Sequence, residues 1–233
     1  NISVTAGATY DSMIDTPTPY ADGGNGRGNY CVMNPLDKTS GVTLTNGNLA
    51  YSCSSGSQGR GSLETPTTGL WYFEHTITSS IGLYTPIVVG ACTNTKAVTN
   101  LNNEVLVLWF YTDSSTWQVQ KRVNGSITAI NVSGTSYPVL GNTLQIAYDS
   151  TSGKAWLGKN NNWINSSGGI TGDPSAGTNP TFTFTAGQSI SPALIDVGAS
   201  YSGTLNCGQR PFTYTPPSGF LALNTQNLPA STI

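Results

Sequence analysis

Residues Leu144–Trp163, LQIAYDSTSGKAWLGKNNNW, decide the fold. The stretch starts as an alternating strand, with Leu144, Ile146 and Tyr148 pointing one way and Gln145, Ala147 and Asp149 the other. Strand side chains alternate with a period of two, so one face is offered to a core and the other to water. The chain then turns through Asp149-Ser150-Thr151-Ser152-Gly153, all small or turn-forming residues. It returns as Lys154-Ala155-Trp156-Leu157-Gly158-Lys159, and a second polar turn, Asn160-Asn161-Asn162, leads to Trp163. A hairpin with one tryptophan on its return strand and another at its exit belongs in the middle of a β-sandwich.

The same grammar extends on both sides. Upstream, GLWYFEHTI (residues 69–77) places Trp71, Phe73, His75 and Ile77 on one face and Leu70, Tyr72, Glu74 and Thr76 on the other. Both faces carry bulk, which predicts a central strand. Val105 to Tyr111 is a continuous apolar run, as expected where both faces are covered. Thr116 to Val123 alternates, meets Asn124-Gly125 and returns from Ser126 to Ile130, the clearest hairpin signal in the chain. Val42 to Thr45 followed by Asn46-Gly47 predicts another hairpin with a type I′ turn, returning at Asn48. Ile81 to Ala91 reads as a strand broken by Pro86, and Thr181 to Thr185 and Leu194 to Val197 as short strands. About a dozen short strands without an amphipathic helix predict an all-β fold, an antiparallel β-sandwich. Residues 1–60 read as an extended, irregular N-terminal arm with a hairpin, packing on the sandwich or on a partner. Residues 61–229 read as the sandwich, and residues 230–233 as a tail.

Composition narrows the partners. Charged residues are only 9% of the 233, against roughly 25% in ordinary soluble domains. Asn, Thr, Ser and Gly carry solubility instead, which suits an extracellular or virion surface. The net charge is −2 and the 9 basic residues are scattered, so no stripe exists for nucleic-acid phosphates. No apolar run approaches the roughly 18 residues of a membrane span. Asn1 in the place of an initiator Met suggests a processed or truncated chain. The glycine-rich ADGGNGRGN (residues 21–29) is followed by no helical periodicity and does not read as a phosphate cradle. Cys31, Cys53, Cys92 and Cys207 have no metal-binding spacing. Two disulfides are possible, with no pairing preferred, but buried reduced thiols are the favoured reading. No cofactor or metal is expected.

The order of GLWYFEHTI, LQIAYDSTSGKAWLGKNNNW, DPSAGTNP and NCGQRPFTYTPPSGFLALNTQNLP resembles the SPRY domain, in the version found in tailed-bacteriophage and prophage virion proteins. The resemblance covers residues 61 to about 229. Upstream, DSMIDTPT, GNYCVMNPL and TLTNGNLAYS resemble the segment that precedes SPRY domains in those proteins. The resemblance implies a bent sandwich of two antiparallel sheets, like the concanavalin-type jelly roll. It also implies a recognition module rather than an enzyme, working through loops at one sandwich edge. The expected place is the virion, exposed on the capsid or the tail. Expected partners are other virion proteins, copies of the chain itself and a host surface glycan. Cys207 departs from the family pattern, in which an aromatic residue often precedes Gly-Gln-Arg-Pro-Phe.

Candidate sites follow from side-chain chemistry. Trp156 reads as core, Trp163 is the better candidate of the two for exposure with core as its alternative, and Asn160, Asn161 and Asn162 either hydrogen-bond glycan hydroxyls or form an ordinary turn. Arg210, in GQRPF, has a planar fork suited to a carboxylate, although a structural contact with carbonyls is the favoured role. The single histidine, His75, lies on an apolar strand face with no nucleophile placed beside it by a known motif, and reads as structural. A glycan hydrolase would need two carboxylates roughly 5 to 9.5 Å apart. Glu74, Glu104 and Asp149 stand alone in their stretches, and Glu64 and Glu74 would meet only through tertiary folding. A carbohydrate-binding module is therefore the first alternative to a virion protein, and a hydrolase the second. Asn1, Asn124, Asn131 and Asn165 begin N-x-S/T triplets, which a chain so rich in Asn, Ser and Thr produces by chance.

Overall fold

The computed structural model describes residues 29–54, 56–79, 88–95, 97–103, 106–112, 117–195 and 200–229. In chain order the strands are β1 (Met33–Lys38), β2 (Val42–Thr45), β3 (Ala50–Cys53), β4 (Gln58–Gly61), β5 (Leu70–Ile77), β6 (Val88–Cys92), β7 (Leu106–Thr112), β8 (Trp117–Val123) and β9 (Ser126–Asn131). They continue as β10 (Thr143–Asp149), β11 (Lys154–Lys159), β12 (Asn162–Ile164), β13 (Phe182–Thr183), β14 (Ser191–Ile195), β15 (Tyr201–Asn206) and β16 (Leu221–Ala222). One sheet runs β1-β4-β14-β6-β7-β8-β9. The other runs β12-β11-β10-β5-β15-β3-β2, with β13 beside β11 and β16 beside β5. The pairings are antiparallel except that of β16 with β5. The architecture is the two-sheet, all-β sandwich expected.

The Leu144–Trp163 stretch sits in the second sheet. β10 and β11 pair from Leu144↔Lys159 to Asp149↔Lys154. Asp149 shapes the turn between them, its Oδ1 accepting from the N–H groups of Thr151 (2.9 Å) and Ser152 (3.1 Å). β5 is central, as its two bulky faces predict, with β10 along one side and β15 and β16 sharing the other. Inward residues of both sheets form the main core. They include Phe73, Ile146, Leu157 and Leu205 from the second sheet, and Val89, Leu108, Phe110, Val119 and Leu194 from the first.

Three expectations need correction. The second face of the β10–β11 hairpin is not wet. Gln145, Ala147 and Trp156 are buried there, and Ala147 and Trp156 join Tyr72, Trp163 and Phe220 in a smaller outer core. That core exists because the chain from Cys207 to Leu223 folds back over the sheet. Secondly, from Met33 onward the stretch expected as an irregular arm supplies two strands to each sheet, β1 and β4 to one, β2 and β3 to the other. Residues 1–28, which hold all of the glycine-rich loop but Asn29, lie outside the described residues, as do Pro86 and the tail. Thirdly, the Asn46-Gly47 hairpin returns at Ala50 rather than Asn48. Asn46, Gly47 and Asn48 all have positive φ, so the loop is longer than a two-residue turn.

Candidate functional site

The predicted sugar-stacking tip is turned inward. Asn160 and Asn161 have φ of 50° and 64°, the two left-handed positions of a tight turn. This turn returns the chain as β12, a strand the sequence reading missed. β12 brings Trp163 back across β11, with Gly158 opposite Trp163. A Cβ at Gly158 would lie 2.8 Å from the Trp163 ring, so a residue without a side chain is what lets the indole lie flat there. Trp163 is only 9% exposed and meets Tyr72 edge-on at 6.4 Å. It is core, not a platform. The asparagines are occupied by the turn. Asn160 Oδ1 accepts from the Thr143 N–H at 2.8 Å, and Asn162 Nδ2 donates to the carbonyls of Lys159 and Asn160, each at 3.3 Å. Asn161 keeps an exposed side chain while its N–H donates to Gln145 Oε1. Arg210 is exposed and reaches back to the Leu205 carbonyl at 3.5 Å, far from the asparagine turn in sequence. Asn160, Asn162 and Trp163 are thus committed to the turn and the outer core, and Asn161 and Arg210 keep exposed side chains.

A buried polar network lies beneath the folded-back C-terminal segment instead. The Gln145 amide donates to the Tyr72 hydroxyl at 2.9 Å, and that hydroxyl donates to Glu74 Oε1 at 2.7 Å. Glu74 is fully buried. Its Oε1 also accepts from the Tyr214 N–H at 3.1 Å and its Oε2 from the Thr213 N–H at 2.9 Å. A buried carboxylate is tolerated when charge-assisted hydrogen bonds satisfy it. Glu74 thus pins the chain after Phe212, whose ring meets Tyr72 edge-on at 4.9 Å. Burial first, and the Glu74 hydrogen bond second, push the Tyr72 hydroxyl above its ordinary range.

The other ionisable groups singled out by their residue type are also engaged. His75 is buried between the sheets with Nδ1 3.2 Å from the Tyr51 hydroxyl. Burial holds its pKa down to about 4, against a weaker upward pull from the Gly90 backbone. Asp149 serves its turn. Glu64 lines a separate surface cavity with Thr93, Asn94 and Gln188, away from the outer face that holds Glu74. Glu104 lies outside the described residues. Lys159, which the sequence did not mark, is buried and donates to the Ser136 carbonyl and hydroxyl and to the Tyr137 carbonyl. Among the described residues no three His, Cys, Asp or Glu side chains converge as a metal site would require.

One open feature among the described residues is a cavity of about 540 Å³ at the end of β2, β3 and β15. Ser40, Thr43, Ser52, Ser54, Ser79 and Ser202 line it, with Cys53 and Tyr201 also contributing. It is built by register. Val42, Cys53 and Tyr201 are paired and point into the core, so their neighbours Thr43, Ser52 and Ser202 are paired on the outside. None of the lining side chains carries a formal charge. Sequence reading missed it because its residues come from four separate stretches, each an ordinary Ser- or Thr-containing loop or strand end.

No protein-family model matches the chain, and no curated protein matches it. Solved structures do. The SPRY domain of human HERC1 is similar over 76% of this chain and 99% of that domain, with a TM-score of 0.52 and 14% identity. The stonustoxin structure aligns over 76% of this chain and 27% of that one, with a TM-score of 0.47 and 14% identity. The likeness is one of fold, and it makes this sandwich SPRY-like.

Proposed function

We propose that this chain is a non-enzymatic structural and recognition protein of a tailed-phage particle, displayed on the capsid or the tail. The observation supporting a non-catalytic role is the commitment of its buried ionisable groups. A general acid or base must reach the proton it transfers. Glu74 has both carboxylate oxygens engaged by the fold, His75 is enclosed between the sheets, and Lys159 is spent on carbonyls. The virion placement is supported by the ordered sequence words from GLWYFEHTI to NCGQRPFTYTPPSGF. Electron microscopy of purified particles labelled with antibody against this chain tests it. Label on the head or the tail is expected, and unlabelled particles would refute the virion role.

A carbohydrate-binding role is the second reading, and the hydroxyl-lined cavity favours it. Its 540 Å³ falls within the roughly 300–1,000 Å³ of small-molecule sites. Its uncharged donors and acceptors suit a neutral saccharide better than an anion. A glycan array should then show binding that Ser52→Trp abolishes. Binding unchanged by that substitution would exclude the cavity.

A further inference from the structure

An open sheet edge offers unpaired N–H and C=O groups to another strand, and proteins blunt such edges with charge, proline, bulges or short strands. Among the described residues the sandwich does so at every edge strand but one. β1 carries Pro35, Asp37 and Lys38, and its register against β4 is irregular. β2 has the Lys38 ammonium on its Val42 carbonyl at 2.8 Å. β12 and β13 are three and two residues long. β9, the last strand of the first sheet, has none of these devices. Its six residues, SITAIN, hold no charge and no proline, and its register against β8 runs unbroken from Gln118↔Asn131 to Val123↔Ser126. Ser126, Ile127, Thr128 and Ala129 are exposed, Ile127 by 55%. The strand is nevertheless anchored, because Ile130 and Val132 pack against the main core.

The phase of the ladder fixes which groups are open. The Val132 N–H donates to the Trp117 carbonyl at 2.9 Å, so Val132 turns its backbone groups to β8. Hydrogen-bonded pairs alternate along an antiparallel ladder. Ile130, Thr128 and Ser126 therefore also bond to β8, and Ile127 and Ala129 point their N–H and C=O groups away from the sheet. Among the described residues no backbone or side-chain group bonds them on that side. The far end of the strand is closed. The Gly168 carbonyl accepts from the N–H groups of Ser133 (3.0 Å) and Gly134 (3.2 Å), and a Cβ on Gly168 would collide with the Asn131 carbonyl. The open run is thus Ser126 to Ile130, centred on Thr128.

We propose that β9 pairs antiparallel with β9 of a second copy of this chain, across a two-fold axis at Thr128, so that the two first sheets become one. Ile127 of each copy then stands opposite Ala129 of the other, and these are the residues whose backbone groups are open. The side chains fit the same register. Val119 and Ile130 are core residues, so Ile127 and Ala129 alternate onto the outer face, and the pairing sets a large exposed side chain beside a methyl. Gly125 of the second copy falls opposite Asn131, where the Gly168 turn leaves little room for a side chain. A two-fold axis brings identical groups together, so a charged strand would repel itself, and SITAIN is neutral. The nearby Lys121 is held elsewhere, with Nζ on the Thr183 carbonyl at 3.2 Å and over the Phe184 ring at 5.3 Å. This self-complementarity in register, steric fit and charge is what selects a second copy over an unrelated strand.

So short a pairing belongs with the weak interfaces below roughly 1,200 Å². Sedimentation equilibrium of the full chain is therefore run from about 10 µM to about 1 mM, and half of the chains should be paired within that range. Ala129→Pro removes an outward N–H from each copy and leaves the bonds between β8 and β9 intact. It should weaken the dimer about tenfold or more, with the urea midpoint of the monomer kept. Register is read separately and does not depend on the proline variant. Across the axis Thr128 meets Thr128 as a non-hydrogen-bonded pair, with Cα atoms about 4.5 Å apart and within disulfide reach. Thr128→Cys should give a disulfide-linked dimer under copper-phenanthroline oxidation, and Ser126→Cys, exposed on the same face, should not. Monomer at every concentration would overturn the proposal and leave the edge to a strand of another protein. A dimer that Ala129→Pro does not weaken would put the contact elsewhere, and equal cross-linking at positions 126 and 128 would refute the register.

Discussion

One buried ring gives acidification a hold on this fold. His75 sits between the sheets with its Nδ1 beside the Tyr51 hydroxyl, and burial lowers its pKa from 6.5 to about 4. The unfolded chain binds a proton at this residue as the pH drops through 6.5, while the folded chain resists until about 4. Between those values the unfolded state holds more protons, so stability falls as pH falls. The whole window is worth about 3 kcal/mol, and most of it is gone at about pH 4.5. Against a total of roughly 5–15 kcal/mol for a domain, that is a large fraction. The assay is urea unfolding followed by tryptophan fluorescence, on the wild type and on His75→Gln, between about pH 7.5 and about pH 4.5. Glutamine keeps an acceptor for Tyr51 and does not titrate. Carboxylates elsewhere contribute equally to both proteins and cancel in the difference. The stability advantage of the wild type over the variant should shrink by about 2 to 3 kcal/mol across the range. An advantage that stays constant with pH would refute the assignment of His75 as a neutral, enclosed ring.

Three substitutions probe the outer face of the second sheet. Glu74→Gln turns an acceptor oxygen into a donor facing the N–H groups of Thr213 and Tyr214, and should cost about 1 to 3 kcal/mol. Hydrogen exchange at those two amides should accelerate more than at the β10 amides, and equal acceleration would argue against a local pin. Trp163→Ala should cost about 3 to 5 kcal/mol in urea unfolding, as for a core aromatic. It should leave any glycan binding by folded protein unchanged, and a loss of binding at full folding would restore the tip as a site. Gly158→Ala should cost about 1 to 3 kcal/mol because the new methyl meets the Trp163 ring at 2.8 Å. A thermal melt that does not move would show the indole lying elsewhere.

What the sequence revealed was whatever local pattern alone determines. The β10–β11 hairpin followed from alternation and a turn of small residues, and its register runs unbroken from Leu144 to Asp149. β5 was legible as central because Trp71 and Phe73 alternate with Tyr72 and Glu74, leaving no face for water. The β8–β9 hairpin followed from Asn124-Gly125, whose φ values of 48° and 82° match a two-residue turn. What stayed hidden depends on long-range cover. A strand beside a polar turn looks half-exposed until another segment lies on it. Here Phe212 and Phe220 arrive more than forty residues after Trp163, and nothing in the asparagine turn announces them. The same holds for Glu74, which looks isolated in its strand and finds its donors at Thr213 and Tyr214. Asn160 and Asn161 misled for a different reason. They take left-handed positions usually signalled by glycine, so a tight turn into β12 was read as an exposed tip.

The outer face of the second sheet is divided, and the division relocates the surface available for contact. Over β5, β10 and β11 it carries Tyr72, Trp156 and, from β12, Trp163, all beneath the folded-back C-terminal chain. Over β2, β3 and β15 the face carries hydroxyls in register. One row is Thr43, Ser52 and Ser202, and a second is Thr45, Thr204, Thr76 and Thr143, interrupted by the methyl of Ala50. Thr43, Thr45 and Ser52 are exposed, and Thr76 and Thr143 share a hydroxyl hydrogen bond at 3.1 Å. Neighbouring strands stand about 4.8 Å apart, so these rows form a regular lattice of short, stiff, neutral groups rather than a set of adaptable long side chains. Such a lattice has little side-chain entropy to lose when something settles on it. Apolar area, the usual driving force for stacking a sugar ring, has been spent on the covered half. A partner of the open half would be held by hydrogen bonds to hydroxyls, and salt should therefore have little effect on that binding.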